Sequence, residues 1–592
     1  MVYETRADID KRYKWVLEDI IPSDEEFERI FSSVKSDIQS FADYKGKLGD
    51  RDVLLECIDK DNVLGEELST LYVYAKMRLD EDARSSKYKA MTDRAEMLIV
   101  EYSTSVSFIM PEIVKSYTEE ELIDISNDPK FTDYDYMFRQ IAKKKEHYLS
   151  EGEESILAEV GSFSGMFQDA FNMFDNADVR FDEIEKDGKN IEMSHGVYSV
   201  MMQDANREVR REAFESMFTA YKNMINTIAV IYGGNVKKDC FYAKVRHYKN
   251  ALDMSMSGED VTPNVYDNLI KSVHANFEPL HDYMNYRRDA LGVDKLHMYD
   301  MHVSLVEGDD IAVPYEEAFK IVKSALEPLG EDYEKLLDRA HNEGWIDVYE
   351  SKGKRSGAYS WGTYKAHPYV LLNYQETTHD VFTIAHELGH AMHSYYSNST
   401  LPASKAGYEI FVAEVASTVN EVLLLKYLMK TKPEMKKYLL QYFLDMFRTT
   451  LFRQTEFAEF EKIAHDMAES GQALTPDALC DAYYELNREY YGDEVENDDL
   501  IRYEWARIPH FYNGFYVYKY STGIVSAVSI ADSILSEGES AVAHYKQFLS
   551  AGGSMSPVDI LKLAGVDLTT NEPFDKAMRV FRETLEELKN ID

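Results

Sequence analysis

The chain has 592 residues, 45% of them hydrophobic, enough to bury a large core and to divide into more than one lobe. Its 65 Lys plus Arg stand against 106 Asp plus Glu, a formal charge of −41, which opposes nucleic acid and anionic membrane surfaces because both are polyanions. The three cysteines, Cys57, Cys240 and Cys480, are odd in number and far apart, unlike a disulfide framework or a Cys-rich metal site, so a reducing compartment is expected.

The amino terminus, MVYETRADIDKRYKW, is mixed in charge from the start and lacks an apolar h-region. No stretch is expected to approach the ~20 apolar residues that a spanning helix needs. The expectation is a cytoplasmic protein with neither nucleic acid nor membrane among its partners; no oligomeric state follows from the sequence.

From Asp24 to about Ala177, apolar residues recur at three- and four-residue intervals, as in LLECIDKDNVLGEELSTLYVYAKMRL, which predicts an almost wholly helical stretch. The period changes at VRFDEIEKDGKNIEMSH, where Asp187-Gly188 accepts the positive φ angles of a tight hairpin turn. A boundary near that hairpin divides the chain into an N-terminal helical lobe, 1–195, and a second region, 196–592. Helical periodicity resumes at Val197 and runs towards residue 345, with Pro263, Pro279 and Pro314 between helices.

A second β-like patch spans 356–375, SGAYSWGTYKAHPYVLLNYQ, and predicts a small sheet. An edge strand there can pair with an extended peptide, or its edge can be covered and merely support the core. Its place directly before the next motif favours the peptide.

That motif lies in THDVFTIAHELGHAMHSYY, where Val381, Ile384, Ala385, Leu388 and Ala391 follow a helical pattern. His386 and His390, at i and i+4, share one face and can direct two imidazoles at one tetrahedral zinc, while Glu387 can reach a water at the open position. With 16 histidines and at most 106 glutamates, chance supplies roughly 0.08 such motifs in a chain of this length.

The next helical stretch, YEIFVAEVASTVNEVLLLKYL, offers Glu409, Glu414 and Glu421 as a third ligand. Glu414 stands among Phe411, Val412, Ala413, Val415 and Ala416, where a buried charge calls for a cation. Either Glu409 or Glu421 can instead accept the remaining N–H of a ligand histidine, and both stay open. His393 sits two turns from His386, too far along the axis to join the ligand set.

These residues carry a resemblance. HELGHAMH followed by FVAEVAS resembles the thimet oligopeptidase-like zinc metallopeptidases, and more closely the oligoendopeptidase F family. KWVLEDIIPSDEEFE, LGVDKLHMYDMHVSLV, FRQTEFAEFE and IPHFYNGFYVYKYSTG extend the likeness over nearly the whole chain. The resemblance implies a mainly α, two-lobed metallopeptidase with a deep substrate channel and a small β-sheet beside the zinc helix. It makes 196–592 the zinc-peptidase catalytic region, with one Zn2+ per chain held by His386, His390 and Glu414. It also implies that a late segment binds substrate and stabilises the tetrahedral intermediate: His510 and Tyr518 as catalytic groups, Tyr512 and Tyr516 as substrate-binding ones. That segment is shorter between its histidine and its tyrosines than the thimet-type pattern, so its register is open.

The implied activity is hydrolysis of internal bonds of short unfolded peptides through a metal-activated water, with Glu387 as general base and then acid. A carboxypeptidase or dipeptidyl carboxypeptidase with the same zinc chemistry needs a cation for the substrate's terminal carboxylate. Arg453, Arg502 and Arg507 keep that alternative open. A helical peptide-binding protein without catalysis is a third reading, opposed by the intact His386, Glu387, His390 and Glu414.

Overall fold

The computed structural model describes residues 2–306 and 312–591. It is 73% helical with only small sheets, in keeping with a mainly α fold. The elements used below are, in chain order, strands β1 (Ile184–Lys186) and β2 (Lys189–Ile191), helix α1 (Arg207–Val245), strands β3 (Ile346–Asp347), β4 (Tyr359–Trp361) and β5 (Tyr369–Leu371), and helices α2 (Thr378–Thr400), α3 (Ile410–Thr431), α4 (Arg453–Glu469) and α5 (Tyr518–Glu537).

The chain forms two compact units, the first from Met1–Tyr148, Asp310–Tyr427 and Ile530–Val566, the second from Leu149–Asp309, Leu428–Ser529 and Asp567–Asp592. This departs from a single division into 1–195 and 196–592. Each unit gathers three separate stretches, and periodicity reports local pattern rather than which distant stretches pack together.

In the first unit the N-terminal helices form for local reasons. Helix Asp24–Ile38 starts where the Ser23 hydroxyl accepts the Glu26 amide, and Asp24, Glu25 and Glu26 place negative charge at the positive end of its dipole. These helices enclose Trp15, Phe27, Phe41, Leu71 and Tyr74, and Tyr369 and Leu371 of β5 belong to the same core. The sheet has the order β3-β5-β4, with β3 parallel to β5 and β4 antiparallel to it, Ser360 opposite Val370. Buried Asp347 on β3 pairs with Lys354 at 2.8 Å and with Arg6, which pins the sheet from its far side. β4 is left at the edge.

In the second unit β1 and β2 form the expected hairpin, with Ile184 opposite Ile191 and both Asp187 (φ 53°) and Gly188 (φ 73°) in the left-handed region. Helix α1 packs against α4.

One expectation is corrected. Among the described residues, Ser86–Ser116 is long and apolar enough to cross a membrane by length and composition, although no such stretch was expected. It is divided into helices Ser86–Val106 and Ile109–Ser116, and Glu112 within it accepts the Gly46 and Leu48 amides.

Candidate metal centre

Helix α2 starts at a reciprocal cap, in which the Thr377 hydroxyl accepts the Asp380 amide and the Asp380 carboxylate accepts the Thr377 amide. Val381, Ile384, Ala385, Leu388 and Ala391 are buried along one stripe, as the spacing predicts. The ligand face follows from that stripe: His386 and His390 project from the helix one turn apart and both stay partly open.

Helix α3 brings Glu414 to them. His386 Nε2 and His390 Nε2 are 3.2 Å apart, and each lies 3.4 Å from Glu414 Oε2. Zinc bonds of about 2.0–2.1 Å at tetrahedral angles separate neighbouring ligand atoms by about 3.3 Å. The three atoms therefore outline one face of a zinc tetrahedron. Among the described residues this is the one group of three metal-ligating side chains gathered so closely. His386, His390 and Glu414, expected from spacing and from the resemblance, come together as a donor set that fits zinc.

The hydrogen bonds around the triangle orient it. His386 Nδ1 donates to Glu421 Oε1 at 2.8 Å, which leaves Nε2 with its lone pair free for a metal. Of the two carboxylates left open by the sequence, Glu421 is thus the partner, two turns along α3 from Glu414 on the same face. Glu409 is exposed. The Ser417 hydroxyl donates to Glu414 Oε2 at 3.0 Å, and Asn420 ties α3 to the Ala385 carbonyl at 3.0 Å.

Gly389 sets the distance between the two helices. A Cβ on Gly389 would stand 2.6 Å from Ser417 Cα and 2.7 Å from the Ala416 carbonyl oxygen, both backbone atoms. Only a residue without a side chain lets α2 and α3 touch here. Gly389→Ala is expected to push Glu414 away from the histidines and to lower zinc affinity by at least about tenfold, read by competition with a chromogenic chelator. Unchanged affinity would mean that the helices accommodate the methyl group elsewhere.

The electrostatics favour a cation. Burial opposes the charged form of His386, yet the Glu421 hydrogen bond and the neighbouring carboxylates raise it to about 9. Burial raises the Glu414 carboxyl, but the two histidines outweigh it and hold the group at about 2. Glu387 is 7% exposed, and burial raises its pKa against the pull of both histidines. A carboxyl poised upwards in this way is suited to take a proton and give it back.

His393 stands outside the ligand set, as expected. It is fully buried, its ring stacks on Tyr408 with centroids 3.8 Å apart, and burial lowers its pKa to about 3.

The edge strand lies beside helix α2. A cavity of about 520 Å³ is lined by Ser360, Trp361 and Thr363 on and after β4, by Ser394 and Asn398 of α2, and by Tyr408. Ser394 is one turn beyond His390, and β4 itself is half-buried rather than covered. The cavity beside β4 is thus shared with α2, the helix that carries His386 and His390.

The late segment belongs to the second unit. His510 is exposed, its ring stacks on Tyr516 at 6.1 Å and meets Tyr520 edge-on at 6.0 Å. Partial burial of the imidazole lowers its pKa. Tyr518 is fully buried and lies 5.2 Å from the Tyr266 ring. Tyr512 is buried under Phe171, with centroids 4.5 Å apart. The structure thus brings His510 and Tyr516 together and sends Tyr512 and Tyr518 inwards. Tyr520, which sequence reasoning did not single out, completes the cluster; its position four residues beyond Tyr516 at the start of α5 was the available signal.

The arginines that keep a terminal-carboxylate reader open already have carboxylate partners. Arg453 pairs with Glu504 at 2.7 Å, Arg507 lies 3.6 Å from the same carboxylate, and Arg502 stands 3.5 Å from both Asp481 and Asp499.

The profile of peptidase family M3 matches residues 200–580, and that of oligopeptidase F matches residues 114–181. Oligopeptidase PepF of Bacillus subtilis is 41% identical over 591 residues, covering 99% of this chain and 88% of the relative. A solved structure of a peptidase from Chlamydophila abortus superposes with a TM-score of 0.94 at 32% identity, covering the whole of both chains. The structure of oligoendopeptidase-F from Enterococcus faecium gives a TM-score of 0.73 at 33% identity, covering 96% of this chain and 99% of the other.

Proposed function

This chain belongs to peptidase family M3 as a metalloendopeptidase, and from that premise we propose that it is zinc-dependent and cuts internal bonds of short, unfolded peptides. The observation that carries the proposal is the triangle of His386 Nε2, His390 Nε2 and Glu414 Oε2, whose edges match a zinc tetrahedron. One ion per chain held there would supply a Lewis acid that polarises the scissile carbonyl and makes a water acidic enough to lose a proton near neutrality.

The remaining steps fall to side chains. Glu387 takes the proton of the attacking water and delivers it to the departing amine. Glu421 keeps the His386 ring turned so that Nε2 faces the metal position. The open edge of β4 takes the peptide backbone as an added strand, with the cavity beside it for a side chain. His510 and Tyr518 are the catalytic groups of the late segment and donate to the oxygen that becomes negative in the tetrahedral intermediate; Tyr512 and Tyr516 bind substrate. For Tyr518 and Tyr512 this role requires the segment to rearrange around substrate, since both rings are buried. His510 is exposed and Tyr516 half-buried, so both rings are accessible from solvent as they stand.

An endopeptidase is favoured over a carboxypeptidase because Arg453, Arg502 and Arg507 already face carboxylates. Peptides amidated at the C-terminus and acetylated at the N-terminus are therefore expected to be cut as fast as their free counterparts, within about threefold, in a chromatographic assay. Loss of cleavage on amidation would favour the carboxypeptidase. A cytoplasmic setting is supported by the unpaired state of Cys57, Cys240 and Cys480.

A further inference from the structure

The backbone turn that separates His510 from Tyr516 and Tyr520 is held by a buried polar cradle. Phe515 has φ +59°, in the left-handed region that a bulky residue rarely enters. Gly514, beside it, does not take the positive φ. Local preference would put the unusual angle on the glycine, so something outside the turn imposes it on Phe515.

Two helices supply that constraint. From α4, Glu461 is fully buried and its Oε1 accepts the Phe515 amide at 3.0 Å. One turn on, the His465 ring packs on Phe515 with centroids 4.4 Å apart and stands 3.4 Å from Asp239 Oδ2. From α1, Asn235 donates to the Phe511 carbonyl at 3.3 Å. Asp239 lies under Gly514, where an added Cβ would come within 2.9 Å of its Oδ2. The cradle thus grips the segment at Phe511, Gly514 and Phe515, between the histidine and the tyrosines. Burial raises the Glu461 carboxyl well above its usual value, and its Oε2 has no hydrogen-bond partner among the described residues. Glu461 Oε1 serves the turn as an acceptor.

We propose that Glu461 is a positioning residue for peptide hydrolysis: by accepting the Phe515 amide it holds the left-handed turn that returns Tyr516 and Tyr520 onto His510. This rests on the reading above that the His510 segment acts on substrate. Glu461 itself touches no reacting atom; it fixes where the donors stand.

The test uses full-length, zinc-loaded protein and a fluorogenic peptide. Glu461→Leu fills the site without an acceptor, so kcat is expected to fall about tenfold to a hundredfold, with KM and zinc content unchanged. Glu461→Gln keeps a carbonyl oxygen for the Phe515 amide and is expected to retain kcat within about threefold. If Glu461→Leu does not fold, Gly514→Ala decides instead: its methyl lifts the turn off Asp239, and the same selective loss of kcat is expected. Parental kcat in Glu461→Leu or, failing that, in Gly514→Ala, or an equal loss in the leucine and glutamine variants, overturns the proposal. His510→Gln and Tyr516→Phe separate the two levels. If they lose kcat while Glu461→Leu does not, only the positioning role fails; if they too retain kcat, the reading of the segment fails and takes this proposal with it.

Discussion

Glu387→Gln is expected to keep its zinc and to lose about 10²- to 10⁴-fold in kcat, the usual contribution of a general acid–base group. Glutamine matches glutamate in shape, so the neighbouring ligands His386 and His390 keep their places on α2. It cannot accept a proton, and the step that activates the attacking water is lost. The position suits the role: Glu387 is buried one step round the helix from His386, where burial raises its carboxyl and the two imidazoles draw it back. Zinc content by atomic absorption and turnover of a quenched fluorescent peptide measure the two effects separately. Full turnover with zinc bound would assign the base to another group.

Glu414→Ala is expected to lose the metal and the activity together. It removes the one anionic corner of the triangle and with it the charge that the two neutral imidazoles do not supply. The three glutamates of this stretch form a graded series. Glu421→Gln should weaken zinc by about 10- to 100-fold, as expected for the hydrogen-bonding partner of a ligand histidine. Glu414→Ala should weaken it further, and Glu409→Ala, on the exposed turn before α3, should leave it unchanged. Chelator competition ranks the three; any other order would reassign the third ligand.

The metal triangle was legible because it depends on helix geometry and on burial, both of which leave marks in sequence. The i, i+4 histidines need only one straight helix, and Glu414 stands out because Phe411, Val412, Val415 and Ala416 around it are buried. The choice between Glu409 and Glu421 was not legible, since it depends on the rotation of α3 against α2. That rotation is set by a tertiary contact, Gly389 against the Ser417 backbone. The hairpin at Asp187-Gly188 was legible for the opposite reason: its turn is wholly local.

The late segment shows where local reasoning stops. Every tyrosine in FYNGFYVYKY looks alike in sequence, yet Tyr512 lies under Phe171, Tyr518 lies beside Tyr266, and Tyr516 and Tyr520 turn towards His510. Which ring faces which way depends on the left-handed turn at Phe515, and that depends on Glu461, more than fifty residues away in the chain. The interleaving of the two units has the same origin in contacts between distant stretches.

The most direct test of the central claim is mass spectrometry of a mixed library of short peptides, incubated with the zinc-loaded protein, the chelator-treated protein and the chelator-treated protein given zinc again. Internal cuts that vanish on chelation and return with zinc are the expected result; cleavage that survives full removal of the metal, or peptides left intact by the zinc-loaded protein, would contradict it.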